Sequence, residues 1–212
     1  MGRYPRRDRW SLPAGLGETG RVSAPREQLP CGPVHLRRWR RADLEALLAA
    51  THASWRHLQP WMPWAQDEPD ASSSLAYLER CDAEWEAGDA FQYAVVETPD
   101  SDAVLGSCGL VRRIGEGGLE IGYWVHAAHT RRGLATAAAA GLTSEGLTLP
   151  GVDRLEIHTD RANVPSRAVA ARLGYELVDT RTRAPQAPAE TGQDEVWRLT
   201  RAGWAATGQR PT

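Results

Sequence analysis

Three segments rich in β-forming residues follow one another in the middle of the chain, at positions 91–97, 104–113 and 119–125. Turn signals separate them, with Thr-Pro-Asp at 98–100 and Gly-Glu-Gly-Gly at 115–118. Consecutive strands joined by short turns pair in an antiparallel manner. The sequence therefore predicts three antiparallel strands at the centre of the fold, against which the other segments must pack.

Helical and strand patterns continue on both sides of these strands. Leucines at helical spacing predict a helix at 42–58, and a serine cap at Ser72 followed by Leu75, Leu78 and Trp85 predicts a second helix. The other predicted elements are a strand at 33–39, a helix at 134–147, a strand at 154–159, a helix at 166–173 that Gly174 ends, and strands at 175–180 and 195–199. This order is typical of an α/β (α+β) domain and excludes a barrel or a dinucleotide-binding fold.

The length of 212 residues fits one domain with a substantial core. We expect this domain at 32–206, after an Arg-, Pro- and Gly-rich extension at 1–31 and before a flexible tail at 207–212. The extension is either a flexible segment or a basic interaction arm. No apolar run resembles a signal peptide or a membrane span, so no membrane partner is expected.

Composition excludes several kinds of chemistry. All 25 cationic residues are Arg, because the chain contains no Lys, which excludes a lysine Schiff base and a lysine clamp on phosphate. The net charge of -2 and the lack of a basic stripe argue against nucleic-acid binding. The three cysteines form no C-x-x-C pair and have no His at metal-ligand spacing, so we expect no disulfide framework, no metal site and a cytoplasmic location.

A candidate anion-binding turn lies between the strand at 119–125 and the following helix. Gly133 allows a close backbone approach at the start of a helix, where N–H groups lack partners within the helix. Arg131 and Arg132 add positive charge. The alternative interpretation of this segment is an ordinary surface turn with solvated arginines.

At this turn the sequence resembles the GNAT superfamily of N-acetyltransferases, and within it the RimJ/RimL-like group. Positions 130–135 resemble the family pattern Q/R-x-x-G-x-G/A at Gly133 and Ala135 and depart from it at Thr130. Two further stretches match in order: 120–125, Glu-Ile-Gly-Tyr-Trp-Val, and 157–175, which holds an N-x-x-S motif and a helix that closes on Leu-Gly-Tyr. The resemblance runs from about residue 34 to residue 204.

The resemblance implies a GNAT fold, with a mixed, mostly antiparallel sheet of about six to seven strands flanked by about four helices. The strand at 119–125 would carry a bulge and splay from its neighbour to admit the pantetheine of acetyl-CoA. Acetyl-CoA would be the co-substrate, with no metal. The residues expected to bind the coenzyme are Trp124, Val125, His126, Arg131, Arg132, Gly133, Leu134, Ala135, Thr136, Asn163, Ser166 and Arg167; Arg161 is a further candidate for its phosphates.

Two residues are predicted to carry the catalysis. Glu120 lies on the face of its strand opposite the apolar residues. It would act as the base, directly or through water, or bind the cationic amine. The alternative is a solvent-facing Glu. The tyrosine that many family members carry in the later helix is absent, because Ala170 stands at that position. Ser166 would supply a hydroxyl to the leaving sulfur, cap its helix, or do both.

The acceptor site is expected between 57–70 and 182–193. Trp55, Trp61 and Trp64 would wall it or pack in the core, and Asp67, Glu68 and Asp70 would attract a cationic acceptor or lie in a solvated loop. The predicted acceptor is the N-terminal α-amine of a protein or peptide. The alternatives are a small amine, or a coenzyme-binding sensory module without transfer activity. Exposed tryptophans in the first helical hairpin are compatible with a homodimer surface.

Overall fold

Eight strands form one mixed sheet in the computed structural model, which describes residues 23–206. Most of the predicted extension and the whole predicted tail, at 1–22 and 207–212, lie outside the described residues. The strands are β1 Gln28–Cys31, β2 Val34–Arg38, β3 Ala90–Val96, β4 Val104–Val111, β5 Gly118–Val125, β6 Arg154–Asp160, β7 Glu176–Thr182 and β8 Gln193–Thr200. Their order is β1-β2-β3-β4-β5-β6-β8-β7, and every neighbouring pair is antiparallel except β5 and β6. The predicted mixed, mostly antiparallel sheet is confirmed.

The strand that brings the count to eight is β1, at the edge of the sheet. It pairs with β2 from Gln28, opposite Arg37, to Cys31, opposite Val34. Leu29 and Cys31 are buried in the core. The sheet therefore begins at Gln28, before the predicted domain start at residue 32. A four-residue strand is too short for its alternation to be recognised in a Pro- and Gly-rich segment.

Four helices match the predicted ones, and a short fifth follows β8. They are α1 Leu44–Leu58, α2 Ala71–Ala87, α3 Leu134–Gly146, α4 Val164–Arg172 and α5 Arg201–Ala206. The predicted cap at Ser72 was wrong: Asp70 is the N-cap of α2, and its carboxylate accepts a hydrogen bond of 2.6 Å from the backbone N–H of Ser73. Asp and Ser both cap well, and only the backbone geometry decides between neighbouring candidates. Within residues 23–206, no helix is both long and apolar enough to cross a membrane.

The two faces of the sheet carry different helices. On one face α1 and α2 pack through Leu47, Leu58 and Leu78 against strand residues that include Val96 and Trp124. On the other face α3 and α4 pack through buried residues such as Leu142 and Val169, and α5 adds Trp204. The alternation predicted for β5 is confirmed, because Leu119, Ile121, Tyr123 and Val125 contact this second core. Along β5, each face of the sheet therefore receives every other side chain.

Candidate active site

The centre of the sheet opens where β5 and β6 diverge. These strands pair in parallel only at Gly118–Glu120, opposite Arg154–Glu156. Beyond that point β5 stays paired with β4 as far as Val125, and β6 stays paired with β8 as far as Asp160. A small cavity of about 50 Å³ lies between the diverging strands. The predicted splay is present and leaves strand edges to which an extended ligand can hydrogen-bond.

The bulge that the resemblance implied for β5 is not observed. The pairing of β5 with β4 is regular from Glu120, opposite Val111, to Val125, opposite Gly106. A register shift occurs instead on β3, between Val95 and Val96. β5 therefore diverges from β6 after Glu120 without a bulge in its pairing with β4.

The predicted anion-binding turn lies at the N-terminus of α3. Gly133 is the N-cap residue with a φ of 79°, and Arg131 also has a positive φ, of 61°. No side chain caps this helix end, and a Cβ added at Gly133 would meet no heavy atom within 4 Å. Arg131 and Arg132 are both exposed beside it. Backbone N–H groups, helix dipole and two guanidinium groups together fit a pyrophosphate.

Hydrogen bonds from neighbouring elements hold the turn in place. The hydroxyl of Ser54 on α1 accepts a bond of 3.0 Å from the backbone N–H of Ala127. Nδ1 of His126 accepts one of 3.1 Å from the N–H of Ala128. Burial lowers the pKa of His126, and the nearby His129 lowers it further. His126 is therefore held neutral near pH 7, the state in which its ring nitrogen can accept.

The other predicted coenzyme residues fall in different surroundings. Leu134 is buried, whereas Ala135 and Thr136 are half-buried on the next part of the helix. The side chain of Trp124 lies on the α1–α2 face of the sheet, on the side away from α3 and α4. Nε of Arg167 donates to Oε2 of Glu195 at 2.8 Å, so part of its hydrogen-bonding capacity is used within the fold. Whether each of these residues contacts coenzyme stays a prediction.

Two hydroxyl groups meet at the opening between β5 and β6. Oη of Tyr123 lies 3.0 Å from Oγ of Ser166. Asn163 is the N-cap residue of α4, and its Oδ1 accepts from the backbone N–H of Ser166 at 3.2 Å. The interpretation of Ser166 as the cap was therefore wrong, since α4 begins at Val164. Tyr123 was assigned only to the apolar face, where its ring indeed packs, but its hydroxyl reaches Ser166 at the opening.

Glu120 is nearly fully buried and belongs to a charged cluster. Nε of Arg113 donates to its Oε2 at 2.6 Å, and Nη2 of Arg113 contacts Oε1. Nδ1 of His158 lies 3.6 Å from the same Oε2, and its Nε2 lies 2.7 Å from Oε2 of Glu156. The interpretation of Glu120 as a solvent-facing residue was therefore wrong. Sequence reasoning missed Arg113, which reaches Glu120 across the turn between β4 and β5. It also missed His158, whose proximity to Glu120 depends on how β5 and β6 align.

Glu156 closes this cluster where β5 and β6 still pair. Burial raises its pKa, but hydrogen bonds from His158 and from Nε of Arg198, the latter at 2.8 Å, outweigh that effect and bring the pKa to about 2. Glu156 is consequently ionised throughout the neutral range. Its negative charge lies beside His158 at the opening.

A second, larger cavity lies on the α1–α2 face of the sheet. Its volume is about 510 Å³, and its lining includes the aromatic residues Trp55, Trp64, Tyr77, Tyr123 and Trp124. The rings of Trp64 and Trp124 lie 6.2 Å apart, and Nε1 of Trp55 donates to the carbonyl of Ala65 at 2.8 Å. Trp55 and Trp64 therefore line the cavity and also pack against the core, so the two predicted alternatives occur together. Trp61 lines the smaller cavity instead.

Acidic residues surround part of the larger cavity. Asp67, Glu68 and Asp70 all line it. Glu68 forms an exposed ion pair of 2.8 Å with His52, and the hydrogen bond from Ser73 lowers the pKa of Asp70. The predicted acidic border is thus present at the cavity, although Asp70 also has a structural role as a cap. A cationic ligand would enter past negative charge.

The last hairpin meets the first helical region, and these are the two segments between which the acceptor site was predicted. Glu190 of this hairpin lines the smaller cavity, whereas the residues that line the larger cavity lie outside 182–193. The backbone N–H of Ala189 donates to the carbonyl of Pro60 at 2.9 Å. The carboxylate of Asp160 accepts from the N–H groups of Thr191 and Gly192 at 3.0 and 2.9 Å. These bonds hold the loop of the hairpin against the end of β6.

The two cavities share lining residues. Gly122 and Tyr123 on β5 border both the larger cavity and the smaller one. A ligand in one cavity can therefore reach a ligand in the other at this point of β5. This geometry fits a reaction between two bound substrates. Within the described residues, no group of three or more His, Cys, Asp or Glu is arranged to hold a metal ion.

The comparisons with known proteins agree with this arrangement. Residues 34–176 match the acetyltransferase (GNAT) domain family. The chain therefore belongs to the GNAT acetyltransferase family, and it is an N-acetyltransferase. No curated protein sequence matches it.

Solved structures of similar fold include three acetyltransferases. RimJ from Mycobacterium smegmatis, solved with a CoA-disulfide, is 25% identical with a TM-score of 0.71, over 88% of this chain and 94% of that one. RimL, the ribosomal L7/L12 alpha-N-protein acetyltransferase, solved with coenzyme A, is 18% identical with a TM-score of 0.74, over 82% and 98%. The microcin C7 self-immunity acetyltransferase MccE, solved with acetyl-CoA and AMP, is 17% identical with a TM-score of 0.71, over 80% and 93%.

Proposed function

We propose that this enzyme transfers the acetyl group of acetyl-CoA to the N-terminal α-amine of a protein or peptide, by direct attack in a ternary complex. The observation that carries the proposal is the meeting of the two cavities at Gly122 and Tyr123. Acetyl-CoA lies between β5 and β6 with its pyrophosphate at the α3 turn. The amine approaches from the larger cavity. Both reactants are then held at one point of β5, which lowers the entropic part of the barrier.

Glu120 is the group that handles the amine. Glu120 lies two residues before Gly122 and on the same face of β5. Arg113 and His158 hold its carboxylate in position. An α-amine with a pKa of about 8 is partly neutral at neutral pH, whereas a lysine amine with a pKa of about 10.4 is almost fully protonated. The α-amine therefore needs less help from a general base. Glu120 binds the ammonium form and accepts its proton, directly or through water.

Tyr123 and Ser166 serve the leaving group. Their hydroxyls lie 3.0 Å apart at the edge of the smaller cavity, and the N-terminus of α4 holds Ser166 in place. A thiol has a pKa of about 8.5, so its thiolate leaves readily once a hydrogen bond stabilises it. The paired hydroxyls donate that bond and replace the tyrosine that Ala170 cannot provide.

One consideration favours a protein α-amine over the alternatives. RimL is an α-N-protein acetyltransferase by its description, and its fold is similar. The larger cavity, by contrast, has room for a compact small amine, and MccE, with acetyl-CoA and AMP bound, has a similar fold. A small amine is therefore the second candidate.

A thiol-release assay with acetyl-CoA separates these candidates. The acceptors are peptides with free N-termini, amino acids, polyamines and aminoglycosides, and acetyl-CoA binding is measured in parallel. We expect turnover on peptides. Turnover confined to a small amine supports the second candidate, and tight binding without turnover on any acceptor indicates a sensory module. Absence of acetyl-CoA binding contradicts the proposal altogether.

A further inference from the structure

A buried glutamine lies in the wall of the larger cavity. Gln92 on β3 is 5% exposed and borders the cavity. Within residues 23–206, its side-chain amide forms no hydrogen bond, although an amide has two N–H donors and one carbonyl acceptor. Buried polar groups are nearly always paired, because an unpaired one costs free energy. An unpaired amide that faces a cavity is therefore a candidate for binding a ligand.

The position of Gln92 relative to the reaction point follows from the register of three strands. Gln92 lies opposite Gly109 on β4, and Gly109 lies opposite Gly122 on β5. The side chain of Gln92 extends over Gly109, because a Cβ added there would lie 2.1 Å from Oε1 of Gln92. Adjacent strands are about 4.8 Å apart, so the amide lies about one strand spacing from Gly122. The two glycines leave open the path between the amide and the meeting point of the cavities.

Ser107 also lines the larger cavity, but its hydroxyl is already hydrogen-bonded within the protein. Oγ of Ser107 donates to the carbonyl of Tyr93 at 3.0 Å and accepts from Nε1 of Trp39 at 3.2 Å. The hydroxyl of Tyr77 also lies within 3.3 Å of it. Ser107 is thus satisfied by the protein. Gln92 keeps a donor and an acceptor side by side for a ligand.

We propose that Gln92 binds the first peptide group of the acceptor, and so selects α-amino amides over other amines. A peptide group offers a carbonyl acceptor and an N–H donor, which pair with Nε2 and Oε1 of Gln92. That group lies within one residue length, about 3.8 Å, of the α-amine, which is close to the single strand spacing of about 4.8 Å between the amide of Gln92 and Gly122. A free amino acid has a carboxylate without a donor, and an alkylamine or polyamine has neither group at this place. This inference rests on the proposed acetyl transfer to an amine and names the substrate class.

The experiment compares three acceptors of matched side chain: an amino acid N-methylamide, the free amino acid, and the amine that lacks the carbonyl carbon. We expect the wild type to prefer the amide by at least tenfold in kcat/KM. Gln92→Leu should lower kcat/KM for the amide about tenfold and change that for the simple amine less than twofold. Gln193→Leu, outside both cavities, is the matched control and should change neither.

Two further measurements keep the test decisive. Gln92→Leu should melt at the same temperature as the wild type or higher, because it removes an unpaired buried amide, and should bind acetyl-CoA equally well. Binding of the N-methylamide to the coenzyme complex, followed as a rise in Tm, needs no turnover and should disappear in Gln92→Leu. The inference is wrong if the wild type shows no preference for the amide, or if Gln92→Leu lowers kcat/KM equally for all three acceptors. Failure of the wild type to bind acetyl-CoA would instead overturn the proposed function.

Discussion

The proposed coenzyme side and the proposed acceptor side of the cleft are built in different ways. The proposed coenzyme side offers mainly backbone groups: the open edges of β5 and β6, and the N-terminus of α3 at Gly133. The proposed acceptor side offers side chains, such as Trp64, Trp124 and Gln92. A backbone site depends on the fold, whereas a side-chain site depends on the particular residues. The first is thus shared by proteins of one fold, and the second distinguishes among them.

The largest effect is expected at Glu120, which lies two residues before Gly122 on β5 and lines the smaller cavity. Glu120→Gln keeps the size of the side chain but removes the charge that binds and deprotonates the amine. We expect kcat to fall about 100-fold, as is typical for loss of a general base. Acetyl-CoA binding should be unchanged in a calorimetric titration. A variant with normal kcat would show that Glu120 only supports Arg113 and His158.

The paired hydroxyls test the leaving-group assignment. Tyr123→Phe and Ser166→Ala should each lower kcat about tenfold, since each breaks the same hydrogen-bonded pair. The double variant should lose little more than the worse single variant, because the residues act as a unit. Steady-state kinetics at saturating substrates measures this. Fully multiplicative losses would mean that the two hydroxyls act separately.

A matched pair of glycines tests the backbone site. Gly133 and Gly151 have φ values of 79° and 75°, and a Cβ added to either would meet no atom within 4 Å. Replacing each with Ala should cost about 1 kcal/mol of stability through the left-handed backbone. Only Gly133→Ala should weaken acetyl-CoA binding, by about tenfold, because only that residue caps α3. Equal affinities of the two variants would contradict the assignment of the pyrophosphate turn.

Trp64 tests the side-chain site. Trp64→Ala removes one aromatic wall of the larger cavity, so KM for the amine should rise about fivefold, while the dissociation constant of acetyl-CoA stays the same. Initial rates at varied amine concentration measure this change. A rise in the dissociation constant of acetyl-CoA instead would remove the distinction between the two sides.

The smallest effect on activity is expected at Glu156, whose role is in stability. Its pKa of about 2 lies below the ordinary value of 4.5, so its contribution to stability is fully present above about pH 4.5 and is lost as the pH falls toward 2. Glu156→Gln should lower the free energy of unfolding by about 1–3 kcal/mol at pH 7. Denaturant titrations should show the difference shrinking below pH 4.5. A difference that does not change with pH would contradict the ion-pair explanation.

The sequence predicted the local features of the proposed coenzyme side better than the contacts of the proposed acceptor side, for a physical reason. Gly133 and the N-x-x-S segment carry local signals, because turns and helix starts need particular residues in a short stretch. The splay of β5 followed from the family resemblance. The contact of Tyr123 with Ser166 spans 43 positions and depends on how α4 packs. Gln92 could have been noticed as a polar residue in an apolar strand, but only the register shows that glycines adjoin it. Strand β1 was missed because four residues carry too little pattern.

A crystal structure of the complex with coenzyme A tests the central claim most directly. We predict that pantetheine lies between β5 and β6 beyond Glu120, that the pyrophosphate contacts the N–H groups after Gly133, and that the sulfur lies within hydrogen-bonding distance of Tyr123 or Ser166. The larger cavity should stay open to an amine. Coenzyme bound in the larger cavity, or a sulfur far from Tyr123, would contradict the account of two substrates meeting on β5.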